Sequence, residues 1–409
     1  MFFKNTFRAF RHRDYVIFWV GLVLGHSGTL IQATAQSWLI FQLTNSPFYL
    51  GLDGLCLGLP RVIFSPLGGA VVDRSDRKLL FVMTQTAFFL MALFLGVMNY
   101  LGTIQVWHVL AVSALTGFFV SFEQPIRQSI LHDLVPREDL PNAVTLYQMV
   151  FNGAMLFGPS IGGLLIPVID TKGCFFAAAL GNLVVFVTIF MICIPRTAPP
   201  AGKTTLSGDM AEGLKLAWNT PILLSLLTAL AIVSFCTKPY TQFMPVFAVD
   251  VLQVGAPGLG LLLMAPGAGA ILGGLTLASV TRFPKPHRLL FFLAAGFGTS
   301  IVLFAISRHF LVSLFFLFIA GGFQTTFLSS TAMLLQIYSN ETNRGRVMSL
   351  FGLINRGLGP MGGLPFGLIA TAMGAPWTVA ICGVLAVGLV AYVAFGRAEL
   401  RYARGIDEM

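Results

Sequence analysis

A chain of 409 residues that is 56% hydrophobic and only 10% charged carries more apolar side chain than one water-soluble core has room to bury, which excludes a soluble globular domain. Apolar stretches long enough to cross about 30 Å of hydrocarbon at about 1.5 Å per residue recur from end to end, and they are continuous rather than alternating, which excludes a membrane β-barrel. The formal net charge of +9 is explained below by where the cations stand, without a nucleic-acid partner.

Twelve helical spans are predicted, at 15–42, 48–72, 79–100, 106–124, 141–168, 173–194, 221–247, 256–281, 288–307, 310–337, 346–371 and 376–396. The first is too long for a signal-peptide core and no small-residue cleavage site follows it, so it stays as helix 1. Gly21, Gly25, Gly28, Gln32 and Gln36 share one of its faces, the glycines suiting close packing and the glutamines hydrogen bonding inside a cavity. Span 2 runs into "GLPRVIFSPLGGAVVDRSDRK", with Arg61 about 18 Å in from Asp73 and Asp53 near the start of the same span. Span 4 holds Glu123 just before Pro125, and span 5 carries "LFGPSIGGLLI".

The polar stretch 195–220 divides the spans into six and six, giving an N-terminal bundle over 1–194 and a C-terminal bundle over 221–409. The second half has Lys238 in span 7 and Arg356 about 15 Å into span 11, which goes on to carry "GLGPMGGLPFG". Gly158-Pro159 with Gly162-Gly163 in span 5 thus recurs as Gly359-Pro360 with Gly362-Gly363 at the equivalent place in span 11. Spans 2 and 8 match loosely through Pro60 and Pro266 and the pairs Gly68-Gly69 and Gly273-Gly274, but Ala278 stands where Asp73 would fall. The five cysteines show no metal spacing and read as packing residues.

All but five of the 25 Lys and Arg fall in the two termini and every second loop. The exceptions are Lys172 and Arg308 in the other loops and Arg61, Lys238 and Arg356 within spans. The positive-inside rule therefore puts both termini in the cytoplasm. A charge at membrane depth costs about 2.5–3.5 kcal/mol by insertion scales, so Arg61 and Arg356 must face water or a partner. Two alternatives stand: the arginines bind an anionic group of a substrate, with Lys238, Gln32 and Gln36 adding contacts, or Arg61 pairs structurally with Asp53 or Glu123. Asp53 and Glu123 are also candidates for proton coupling, since a carboxyl moving between apolar burial and an arginine gains and loses a proton.

The six-plus-six pattern and "GGAVVDRSDRK" resemble the major facilitator superfamily, whose signature after helix 2 is Gly-x-x-x-Asp-Arg-x-Gly-Arg-Arg/Lys. Gly69, Asp73, Arg74, Arg77 and Lys78 match it, with Asp76 in place of the second glycine. "FGPSIGG" is similar to the antiporter motif of helix 5 in exporters of this superfamily, through Gly158, Pro159, Gly162 and Gly163, with Ala154 replacing one expected glycine. "FRHRDYVIFWVG", "QPIRQSILHDLVPREDLPNAVTL", "AEGLKLAWNTP" and "RGRVMSLFGL" look like the branch of enterobactin-type siderophore exporters and macrolide-efflux proteins.

That resemblance implies an all-α membrane protein of two pseudo-symmetric six-helix bundles, working by alternating access in a bacterial inner membrane. It implies that Asp73, supported by Arg77, latches onto the start of helix 11 near Arg346 to Ser349 when the cytoplasmic side is closed. The expected function is proton-coupled export of a small organic molecule such as a carboxylate-bearing siderophore. A macrolide or multidrug pump, uptake instead of export, and a non-transporting sensor or assembly factor are the alternatives. No nucleophile and base stand at catalytic spacing, and neither a phosphate-cradling glycine loop nor a zinc pattern is present, so neither an enzyme nor a resident cofactor or metal is expected. The expected partners are the small-molecule substrate, protons and membrane lipid, with the chain acting as a monomer.

Overall fold

Every regular element is helical among the residues that the computed structural model describes: 7–192, 214–237, 239–279, 285–341, 343–397 and 399–400. A short 3-10 turn, Arg8–Arg11, leads into α1 (Arg13–Thr44), α2 (Pro47–Arg74), α3 (Arg77–Tyr100), α4 (Val106–Leu134) and α5 (Leu140–Met191). The later part has α6 (Pro221–Thr237), α7 (Gly255–Ser279), α8 (Pro286–Ile306), α9 (Phe310–Tyr338), α10 (Arg344–Leu353), α11 (Gly363–Met373) and α12 (Ala375–Gly396). Ten helices among the described residues are long and apolar enough to cross a membrane.

Local chemistry sets the boundaries. α1 ends where Asn45 takes the left-handed conformation, φ 47°, which asparagine tolerates better than most residues. Pro47, Pro286 and Pro376 stand in the first turn of α2, α8 and α12, where the missing N–H costs nothing. Asp76 caps α3: its carboxylate accepts hydrogen bonds from the backbone N–H of Lys78 at 2.9 Å and of Leu79 at 3.2 Å. The residue that departs from the signature's glycine therefore starts the next helix.

Predicted spans 4, 5, 6 and 11 differ from the structure in extent or continuity. α4 runs through Pro125 to Leu134, about 15 Å beyond the predicted end at 124. The predicted spans 141–168 and 173–194 form one helical run of 52 residues broken at Asp170, where φ 58° and ψ 175° leave the helical region. Predicted span 11 is divided: α10 passes into a wide π turn, Ile354–Leu358, then a single turn, Gly359–Met361, then α11.

The repeated glycine pairs occupy corresponding positions in the packing. A side chain on Gly162 would meet Ile31 and Thr34 of α1, whereas one on Gly163 would lie 2.6 Å from the Ala256 carbonyl oxygen and 2.7 Å from the Gly260 Cα of α7. In the later part Gly362 abuts the Phe235 carbonyl of α6, and the Gly363 carbonyl abuts Gly51 of α2. In each pair one glycine packs within its own part of the chain and the next meets the other part. Only glycine allows backbones to approach this closely.

The two ends of the bundle differ. Where α1 ends and α2 begins, one buried core joins both parts of the chain, including Trp38, Leu50, Ile166, Phe243, Leu259 and Phe366. At the opposite end the first part has a separate core built on Tyr15, Phe18, Phe81, Ile130, Tyr147 and Ile189. Between the parts at that end lies a cavity.

Candidate functional site

The cavity measures about 870 Å³ and is walled by α2, α4, α10 and the π turn. Among the described residues its polar lining consists of three arginines (Arg61, Arg346 and Arg356), three amides (Gln124, Gln128 and Asn355) and three hydroxyls (Ser65, Ser121 and Ser349), with no carboxylate. Arg61 and Arg356 come together because α2 passes close to the π turn. A side chain on Gly58 would lie 2.9 Å from the Gly357 carbonyl oxygen, and one on Gly357 would meet Val62. The wide turn places Asn355 and Arg356 in succession at this wall, and such turns recur at functional sites.

Neither Arg61 nor Arg356 forms an ion pair with a described residue through its guanidinium. Both carboxylates weighed as structural partners of Arg61 are engaged elsewhere. Asp53 Oδ1 accepts hydrogen bonds from the Ser113 hydroxyl and, at 3.1 Å, from Gln36 Nε2, which also donates to Ser113 Oγ at 2.6 Å. Gln36 thus serves Asp53 and ties α1, α2 and α4 together instead of lining the cavity. Gln32 is half-buried and does not line the cavity either. Lys238 lies outside the described residues.

Glu123 pairs with Arg127, one helical turn further along α4, at 2.5 Å and accepts from Gln85 Nε2 at 3.2 Å. Arg127 is only 4% exposed. Reading α4 as ending at 124 puts Arg127 in a loop; in the longer helix it is a buried arginine. The i, i+4 spacing from Glu123 was the signal that could have found it. The His26 ring lies 3.9 Å from that of Phe151, and its Nε2 is buried with no hydrogen-bond partner among the described residues. With Glu123 pairing Arg127, Arg61 and Arg356 are the arginines that line the cavity with no ion pair to a described residue, and Arg346, which hydrogen-bonds Asn343 at 3.4 Å, lines it as well.

In the helix 2 signature Gly69 and the side chains of Asp73 and Arg74 lie outside the described residues. Arg77 Nη1 pairs with Asp133 at 2.8 Å, tying the start of α3 to the end of α4. Lys78 Nζ donates to the Ile192 carbonyl at 3.3 Å and lies 5.8 Å from the Phe190 ring centre. Arg346 and Ser349, the expected landing point of the latch, border the open cavity. In the helix 5 motif Gly158 packs on Leu30 and Gly162 on α1, while Gly163 and the Pro159 carbonyl meet α7. Gly21, Gly25 and Gly28 pack on the second part of α5 through Thr188, Val185 and Ala178; on helix 1 the glycines serve helix contact.

One cluster had no counterpart in the sequence reading. Asp139, just before α5, accepts a hydrogen bond from His12 Nε2 at 2.9 Å and forms an ion pair with Arg8 Nε at 3.1 Å, while the Ala9 N–H donates to Asn142 Oδ1 at 3.0 Å. The His12 hydrogen bond and the positive charge of Arg8 hold the Asp139 carboxyl below its ordinary range. The segment before α1 is thereby pinned to the start of α5.

The family described as transmembrane secretion effector matches residues 4–407. The chain belongs to that family, within the major facilitator superfamily. This major facilitator protein is 24% identical over 365 residues to a staphyloferrin A transporter of Staphylococcus aureus (strain NCTC 8325 / PS 47), covering 87% of this chain and 89% of the relative. It is 23% identical to macrolide efflux protein A of Streptococcus pyogenes, covering 90% and 92%. Among solved structures, a bacterial homologue of the human lysosomal transporter Spinster, in an inward-facing and unoccupied conformation, superposes with a TM-score of 0.71 at 17% identity, covering 93% of this chain and 96% of that one. A bacterial homologue of the iron transporter ferroportin, inward-facing, gives 0.72 at 14%, covering 94% and 98%. The protein is a multi-pass membrane transporter of the major facilitator fold.

Proposed function

We propose that this transporter exports a small organic anion bearing carboxylates, a carboxylate-type siderophore among them, from a bacterial cytoplasm across the inner membrane. The observation that carries the reading is the cavity lined by Arg61, Arg346 and Arg356 and, among the described residues, by no carboxylate. Guanidiniums bind carboxylates in bidentate fashion, and the surrounding amides and hydroxyls suit an oxygen-rich ligand. A lipophilic cation, the usual cargo of a multidrug pump, would meet like charge there. The export direction rests on the relationship to efflux proteins.

The reading uses twelve crossings: α5 crosses twice with its turn at Asp170, and α10 with α11 supplies the eleventh. The halves are 1–194 and 221–409, joined by the linker 195–220, with both termini cytoplasmic. The open end, where α2 finishes and α10 begins, then faces the cytoplasm, so the chain is in its loading state. The cavity lies within one chain, which suits a monomer. Proton antiport through Asp53 or Glu123 would require either carboxylate to leave its present partners during the cycle.

The test is transport into inverted membrane vesicles of a carboxylate siderophore compared with a macrolide. Uptake of the siderophore alone is expected. Uptake of the macrolide alone would overturn the anionic-substrate reading and move attention to the aromatic side chains of the helices.

A further inference from the structure

Proton antiport by direct competition needs a group at the site that exchanges a proton and meets the substrate in turn. Among the described residues lining the cavity there is neither a carboxylate nor a histidine. Asp53 is held by Ser113 and Gln36, and Glu123 by Arg127 and Gln85. What faces the substrate is arginine, whose guanidinium keeps its proton at any accessible pH. The charge of the empty site is therefore fixed, and an arriving anion is what changes it.

Alternating access makes such fixed charge sensitive to the membrane potential. With the cavity water open to the cytoplasm, Arg61 and Arg356 stand at the cytoplasmic potential; with it open outside, they stand at the external one. Reorientation thus carries their charge through the field even where the side chains barely move. A potential of 100 mV biases the two orientations by about 50-fold for each elementary charge carried fully across.

We infer that the membrane potential drives this transporter directly, through Arg61 and Arg356, an inference that rests on the anionic-substrate reading above. The loaded carrier turns outward with its cations compensated by the substrate's carboxylates. After release, the empty carrier is a net cation, and an inside-negative potential returns it to the cytoplasm-open form, ready to load. Each cycle moves the substrate's negative charge outward, the direction the potential favours, and no proton need return. The thermodynamic limit on accumulation grows about 50-fold per 100 mV for every negative charge on the substrate.

The experiment uses the full chain in liposomes loaded with radiolabelled citrate as the probe, at the same neutral pH on both faces. A potassium gradient with valinomycin sets the potential, and thermal unfolding with and without citrate reports binding separately. An inside-negative potential is expected to raise citrate efflux by about tenfold over zero potential, an inside-positive one to suppress it, and a pH gradient at zero potential to leave it unchanged. Citrate efflux that follows the pH gradient and ignores the potential would overturn the inference while leaving the anionic cavity intact. Citrate that neither binds nor moves would overturn the anionic-substrate reading and this inference with it.

Discussion

Replacing Arg127 by leucine tests the arrangement of charge behind the cavity. In the structure the guanidinium is buried, its side chain 5% exposed, against a Glu123 side chain that is 16% exposed. Removing it leaves the Glu123 side chain largely screened from water, with the Gln85 amide as its remaining hydrogen-bond donor among the described residues. Breaking one side of a buried pair costs about 3–5 kcal/mol, because the remaining ion keeps its desolvation penalty without its attraction. Adding Glu123→Gln to the same chain removes that ion, and a neutral pair of similar volume is about as stable as the original. Reversible unfolding in mixed micelles by titration with dodecyl sulfate, followed by circular dichroism, gives the free energies of both single variants and the double. Arg127→Leu is expected to lose about 3–5 kcal/mol and the double variant to regain most of it. A loss under about 1 kcal/mol, typical of exposed pairs, or a double variant no better than the single, would refute the buried pair.

Asp76→Ala removes the cap from α3 and should cost about 1 kcal/mol in the same titration, with Asp76→Asn close to wild type. Gly163→Leu forces α5 from α7, where a side chain would lie 2.6 Å from the Ala256 carbonyl oxygen; about 1–3 kcal/mol of stability and most vesicle transport should be lost. Asp139 has its pKa depressed when folded, so its link to Arg8 and His12 contributes stability above the unfolded value of about 3.9 and loses it as pH falls through the folded pKa. Hydrogen exchange at the Ala9 amide should accelerate in that acid window, and Asp139→Asn should abolish the transition.

Hydropathy made the bundle legible because each apolar stretch needs only its own length to declare itself. The predicted span 310–337 lies within α9, Phe310–Tyr338. The internal repeat was legible as well, since the glycine pairs fall in the same relative place in both parts of the chain, and their packing partners correspond. The reading failed at polar helix ends. "FEQPIRQ" has the composition of a loop, and a proline, so α4 was cut short and Arg127 missed. The wide turn at Ile354–Leu358, which lies where α2 passes close, is hidden because its residues are unremarkable in composition. The partners of Asp53 and Arg77 come from other helices, and one sequence without tertiary contacts has no term for them.

The central claim is that Arg61 and Arg356 together hold the carboxylates of the substrate. Calorimetric titration of the purified chain with citrate, for wild type, Arg61→Gln, Arg356→Gln and the double variant, addresses it most directly. Loss of one charge-assisted hydrogen-bonding group is worth about 1.5–3 kcal/mol, so each single variant should bind about 10- to 150-fold more weakly and the double should show no measurable binding, with stability retained in all three. Equal citrate affinity in wild type and the double variant would contradict the account.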